Sequence, residues 1–105
     1  MSQWQVKITP EAEIRFRKDL EDGILSIEDQ DVIAGWHLEV KLHGYEDLKG
    51  SRDWNDHPLV GEWFGFRSFS FGYKGRVIYR VDYSAKTVLV VKITNTHDYS
   101  RGPIR

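Results

Sequence analysis

The chain has 105 residues, a formal net charge of −1 and no cysteine, which is enough for one sheet-and-helix core and excludes disulfide staples and thiolate metal sites. No apolar run is long enough to cross a bilayer and the start does not resemble a signal peptide, so a single domain over residues 1–105 is expected, working in the reducing cytoplasm. The net charge hides an asymmetry: residues 1–56 carry 7 Lys and Arg against 13 Asp and Glu, a net of −6, whereas residues 57–105 carry 8 against 3, a net of +5.

In chain order, "WQVKI" (residues 4–8) alternates apolar and polar side chains and predicts a strand. "TPEAEIRFRKDLEDG" follows, with Thr9 as N-cap, Pro10 at the first helical position, acids in the first turn and Gly23 as stop. Ala12, Phe16 and Leu20 fall on one face of that helix. Ser26 offers the next cap, and Val32, Ile33, Trp36 and Val40 keep helical spacing to about Leu42, before "HGYEDLKG" breaks it. A polar loop leads to three strand-like runs, residues 62–71, 76–83 and 87–95, joined by "GYKG" and "YSAK". This β-α-α-β-β-β order predicts an α+β domain: a mostly antiparallel four-stranded sheet with both helices packed on one face, the other face accounting for the polar alternation in the strands.

The residues able to do chemistry collect in the basic half. His37 and His43, on or just beyond the second helix, read as solvated or capping side chains. His57 precedes the first meander strand and His97 follows the last. In an antiparallel meander those two points lie at the same end of the sheet, so the imidazoles can converge. Arg67 and Arg76 are expected on adjacent strands across the "GYKG" turn, with Lys74 inside it and Arg80 and Arg101 as further cations. Guanidinium groups bind phosphate with two parallel hydrogen bonds and stabilise phosphorane-like charge. Two histidines beside clustered cations fit RNA cleavage by acid–base chemistry on the 2′-hydroxyl. The competing reading has the arginines merely in salt bridges and the histidines bonded to loops. Of the many aromatics most are core; Trp54 and Tyr99, in polar loops, are the candidates for base contacts. No HExxH, no Cys/His ligand spacing and no Asp-rich calcium loop occur, so neither metal nor cofactor is expected.

"HPLVGEWFGFR", the "VIY" strand and "TNTHDY", taken with the β-α-α segment before them, resemble the RelE/ParE superfamily of bacterial toxin–antitoxin toxins. The resemblance covers nearly the whole chain and is strongest to the YafQ-like branch of ribosome-dependent mRNA endonucleases. It implies roles in mRNA cleavage for His57 and His97, a phosphate contact for Arg67, and for Arg76 the place of the arginine that opens the corresponding strand in RelE-like relatives. It also implies a cognate antitoxin as partner and mRNA in the ribosomal A site as substrate. The branch usually has another histidine and an aspartate around the hairpin, where this chain has Ser70 and the Lys74–Gly75 turn. The general base is therefore either His57 or a basic cluster around Lys74 and Arg76. Two other outcomes stay open on the same fold: a ParE-like gyrase poison, and a degenerate toxin that serves only to bind an antitoxin or regulate transcription.

Overall fold

The structure, a computed structural model, describes residues 2–95. Strand β1 (Gln5–Ile8) runs into helices α1 (Pro10–Glu21) and α2 (Ile27–His43), and strands β2 (His57–Pro58), β3 (Arg67–Phe71), β4 (Gly75–Asp82) and β5 (Thr87–Thr94) complete the domain. Both helices start as the side chains dictate. The Thr9 hydroxyl accepts the Ala12 N–H at 3.2 Å. At α2, Ser26 and Asp29 satisfy each other's backbone amides in a capping box, at 3.0 and 3.1 Å.

The sheet order is β1-β5-β4-β3-β2, with β1 parallel to β5 and every other pair antiparallel. The expected fold class holds, but the sheet has five strands where four were predicted. The apparent strand over 62–71 is two things. Its first part is a tight turn, made possible by positive φ at Gly61 (66°) and Gly65 (95°). In it the Trp63, Phe64 and Phe66 amides donate to the carbonyls of Val60, Gly61 and Trp63. The ladder begins only at Arg67, and the turn folds His57–Pro58 back to pair with Ser68 and Arg67 as a separate short edge strand.

The core lies between the helices and one face of the sheet. Trp36 of α2 stacks on Phe69 of β3 with ring centroids 4.3 Å apart and planes 12° from parallel. Val40, Val77, Tyr79 and Val88 are fully buried around them. Val32, one position off the Ile33–Trp36–Val40 stripe, stays 40% exposed.

Candidate nucleic-acid interface

Residues paired across neighbouring strands share a face, so the register sorts every strand residue to one side. Arg67, Phe69 and Phe71 of β3 pair with Tyr79, Val77 and Gly75 of β4 and face the helices. Ser68 and Ser70 face away. The far side therefore reads in rows: His57–Ser68–Ile78–Lys92, then Ser70–Arg76–Thr94 toward one end, and Arg80–Leu89–Lys7 toward the other. Ser68 and Ile78 are fully buried in the middle of the first row, which leaves its two ends, the half-buried His57 and Lys92, as the reachable groups. They stand three strand spacings apart, about 14 Å.

Lys92 is on this side because of an irregularity. Ile78 pairs with Lys92 but the next residue, Tyr79, pairs with Val90, so Val91 is an extra residue in β5. Strict alternation from Val88 and Val90 would bury Lys92 against the helices; the bulge puts Ile93 there instead and turns Lys92 outward. Among the paired strand residues, the far side thus carries Lys7, Arg76, Arg80 and Lys92 besides His57, against the carboxylate of Asp82 near the β4–β5 turn. Lys74 is exposed in the β3–β4 turn. Lys7 and Lys92 escape sequence reading because a lysine in a strand carries no sign of which face it takes; Lys92 needs the bulge as well.

His57 is held by the loop before it. Its Nδ1–H donates to the Asn55 carbonyl at 2.7 Å, since a carbonyl can only accept. Asn55 sits in the left-handed region, φ 52°, a conformation asparagine tolerates better than most side chains. Its side-chain amide donates to the Ser70 hydroxyl at 3.1 Å, and the Ser70 amide donates to the Trp54 carbonyl at 2.8 Å.

Arg67 and Arg76 do not cluster. Arg67 pairs with Tyr79, and Arg76 lies an odd three residues from Tyr79, so the two guanidiniums take opposite faces. Arg67 is on the helix side, where its Nε and Nη2 donate to Oδ1 of Asp56 at 3.0 and 2.7 Å. The Asp56 side chain is fully buried. Its Oδ1 also accepts the Gly50 amide at 3.0 Å, and its Oδ2 accepts the Tyr79 hydroxyl, which in turn meets the Tyr45 hydroxyl at 2.9 Å. Burial alone would lower the Arg67 pKa; the bonded Asp56 and the neighbouring Tyr45 more than offset it and hold the guanidinium above its ordinary value. Burial, then the Asp56 bond, pushes Tyr79 well up, and burial raises Tyr45 to about 12. Asp56 gave no signal in the sequence beyond its place before His57.

Trp54 is likewise not a free stacking platform. Its ring is partly buried against the core and edge-on to Phe69, with centroids 5.6 Å apart, and its Nε1 donates to Glu39 at 2.8 Å. The ring is thus held in one orientation by the core and by Glu39, and what remains open to a base is its partly exposed side. Of the other predicted groups, His97, Tyr99 and Arg101 lie outside the described residues. The end of β5 at Thr94 shares the Ser70–Arg76 row, at the end of the sheet where the His57 loop also lies. His37 lies on α2, its imidazole held below the ordinary value by partial burial and by Lys41. No helix is long and apolar enough to cross a membrane, among the described residues.

No family model and no curated protein matches this chain. Solved structures do. YafQ from Escherichia coli strain BL21(DE3) is 13% identical with a TM-score of 0.63, over 88% of this chain and 92% of that one. The YoeB/ParE toxin from Agrobacterium tumefaciens is 16% identical with a TM-score of 0.65, over 86% and 95%. A chain of the YoeB–YefM complex from Staphylococcus aureus is 13% identical with a TM-score of 0.62, over 89% and 97%. At such identities a likeness speaks for architecture, and on that footing the chain has the RelE/ParE-type toxin fold, shared with YoeB and YafQ across nearly its whole length.

Proposed function

We propose that this chain is the toxin of a type II toxin–antitoxin pair and acts in the cytoplasm as a ribosome-dependent endoribonuclease that cuts mRNA and stops translation. The observation that carries the reading is the far face of the sheet, where a half-buried histidine, its Nε2 without a hydrogen-bond partner among the described residues, shares a surface with Arg76, Arg80, Lys92 and Lys7. The likeness to YafQ and YoeB structures adds to it.

In the proposed reaction His57 Nε2 takes the proton of a 2′-hydroxyl. That oxygen attacks the adjacent phosphorus, and the bond to the 5′-oxygen breaks as His97 protonates it. Arg76, with Lys74 in the adjoining turn, holds the phosphate and the charge that builds on it, while Arg80 contacts the RNA farther along the same face. Tyr99 and Arg101 are proposed RNA contacts beyond the described residues. Arg67 serves this site from behind: paired with Asp56, it fixes the residue that precedes His57 in the chain. The products are a 2′,3′-cyclic phosphate and a 5′-hydroxyl. A net charge of −1 gives little long-range grip on free RNA, so presentation of the strand in the ribosomal A site supplies the orientation. The cationic face also fits a cognate antitoxin with an acidic, amphipathic segment that orders as it covers the site.

End-group analysis of mRNA cut on programmed ribosomes by EDTA-treated protein tests the chemistry, with the ribosome's own magnesium requirement controlled separately. Cyclic phosphate and 5′-hydroxyl ends are expected, with no cutting where the 2′-hydroxyl is replaced by hydrogen. A 5′-phosphate product overturns the mechanism, and arrest of supercoiling without arrest of translation would move the chain to the gyrase-poison reading.

A further inference from the structure

We infer that Asn55 is a positioning residue for His57: its left-handed backbone sets which imidazole nitrogen carries the proton, and so which one can act as base. This rests on the nuclease reading only for the meaning of the word base; the tautomer is a property of the folded chain.

A base directed at substrate on the far face needs its lone pair on the outward nitrogen. An unconstrained neutral histidine in water favours the opposite arrangement, with the proton on Nε2. The hydrogen bond made by one nitrogen fixes the state of the other. The Asn55 carbonyl, 2.7 Å from His57 Nδ1, keeps the proton on Nδ1 and leaves Nε2 as the lone-pair nitrogen.

The carbonyl reaches that nitrogen because Asn55 has φ 52°, one of two non-glycine residues with positive φ among the described residues. Hydrogen bonds on both sides hold it there, beginning with its own backbone amide, which donates to the Arg52 carbonyl at 3.1 Å. The Asn55 side-chain amide donates to Ser70 on β3 at 3.1 Å. The Trp54 carbonyl accepts the Ser70 backbone amide at 2.8 Å, while the Trp54 ring is bonded to Glu39 of α2 at 2.8 Å. On the other side Asp56 donates its backbone amide to Ser51 at 2.9 Å and buries its carboxylate among Arg67, Tyr79 and Gly50. Asn55 is thus the exposed middle residue of a segment whose two neighbours are anchored from opposite sides. Its strained conformation is maintained by the loop, and the return is an oriented imidazole.

The test reads the tautomer directly. In ¹⁵N-labelled full-length protein, the ring nitrogens of His57 are assigned against His57→Gln and their shifts recorded at a pH where the ring is neutral. The wild type should show a protonated Nδ1 and an unprotonated Nε2. Asn55→Val, whose β-branch opposes positive φ, should show a mixed or reversed pattern, and its single-turnover cleavage rate on programmed ribosomes should fall by roughly 10- to 100-fold with binding little changed. Asn55→Gly, which adopts positive φ without cost but lacks the side-chain tie to Ser70, should keep mainly the wild-type pattern with partial mixing, and most of the rate. Should the valine variant fail to fold, Ser70→Ala removes the side-chain tie alone and should mix the tautomers partially. A wild-type Nε2–H form, an unchanged pattern in both Asn55→Val and Ser70→Ala, or a glycine variant as impaired as valine overturns the inference. The expected tautomers in a wild type that cuts no RNA would sink the nuclease reading and leave the control of His57 by Asn55 standing.

Discussion

Arg67 and Asp56 form a buried pair across the start of the β2–β3 ladder: two guanidinium nitrogens converge on a single carboxylate oxygen at 3.0 and 2.7 Å, with the carboxylate fully buried and the arginine side chain 17% exposed. The pair lies behind the sheet from His57, on the next residue of the same chain segment. Removing one partner of a buried ion pair strands the other, which costs about 3–5 kcal/mol. Arg67→Ala and Asp56→Ala are therefore both expected to lower unfolding free energy by that order in urea titrations. An Arg67→Ala protein with wild-type stability and no activity would instead return this arginine to direct phosphate contact.

Alkaline pH should loosen the same cluster. Burial raises the Tyr45 phenol from 10.0 to about 12, against the opposing effect of its bond to Tyr79. The folded state thus favours the neutral phenol. The stability this lends is intact below pH 10 and drains away as pH rises through the folded value near 12. Urea midpoints should be level from neutrality to about pH 9 and fall above pH 10, less steeply in Tyr45→Phe. A midpoint unchanged at pH 11 would count against the buried phenol cluster.

Lys92 should matter for RNA and not for folding. Because the Val91 bulge turns it to the far face, Lys92→Ala is expected to weaken binding of a single-stranded RNA evenly across sequences and to reduce the slope of log affinity against log salt by about 0.7. Deleting Val91 should regularise the ladder without changing the face of Lys92, because Lys92 then follows the inward-facing Val90 directly and still pairs with Ile78, so the RNA contact should survive the deletion. A Lys92→Ala salt dependence identical to the wild type removes it from the surface.

Trp36 and His57 should separate core from site. Trp36→Ala empties the ring that stacks on Phe69 and is 1% exposed, a loss of about 3–5 kcal/mol by chemical denaturation. His57→Ala should leave the unfolding curve within about 0.5 kcal/mol of wild type and remove toxicity on expression in bacteria. Growth arrest by His57→Ala at equal protein level would take this histidine out of the proposed reaction.

What the sequence determined by itself is what depends on local chemistry: both helix starts, marked by Thr9 and Ser26, the alternation of β1, β4 and most of β5, and hence the α+β order. The basic second half was legible as well, because charge can be counted. Tertiary structure decided the faces. Arg67 and Arg76 look alike in the chain, nine positions apart, yet strand parity sends one into the helix-side cluster with Asp56 and the other to the surface shared with His57. One bulged residue reverses the side of Lys92, and paired glycines turn an apparently continuous strand into a turn that frees His57–Pro58 to form its own edge. Trp54, polar in its sequence neighbourhood, is drawn onto Phe69 and Glu39 by residues far away in the chain. The side-chain period of a strand is two, so each of these outcomes turns on a shift of a single residue, and register is set by long-range pairing that no local pattern encodes.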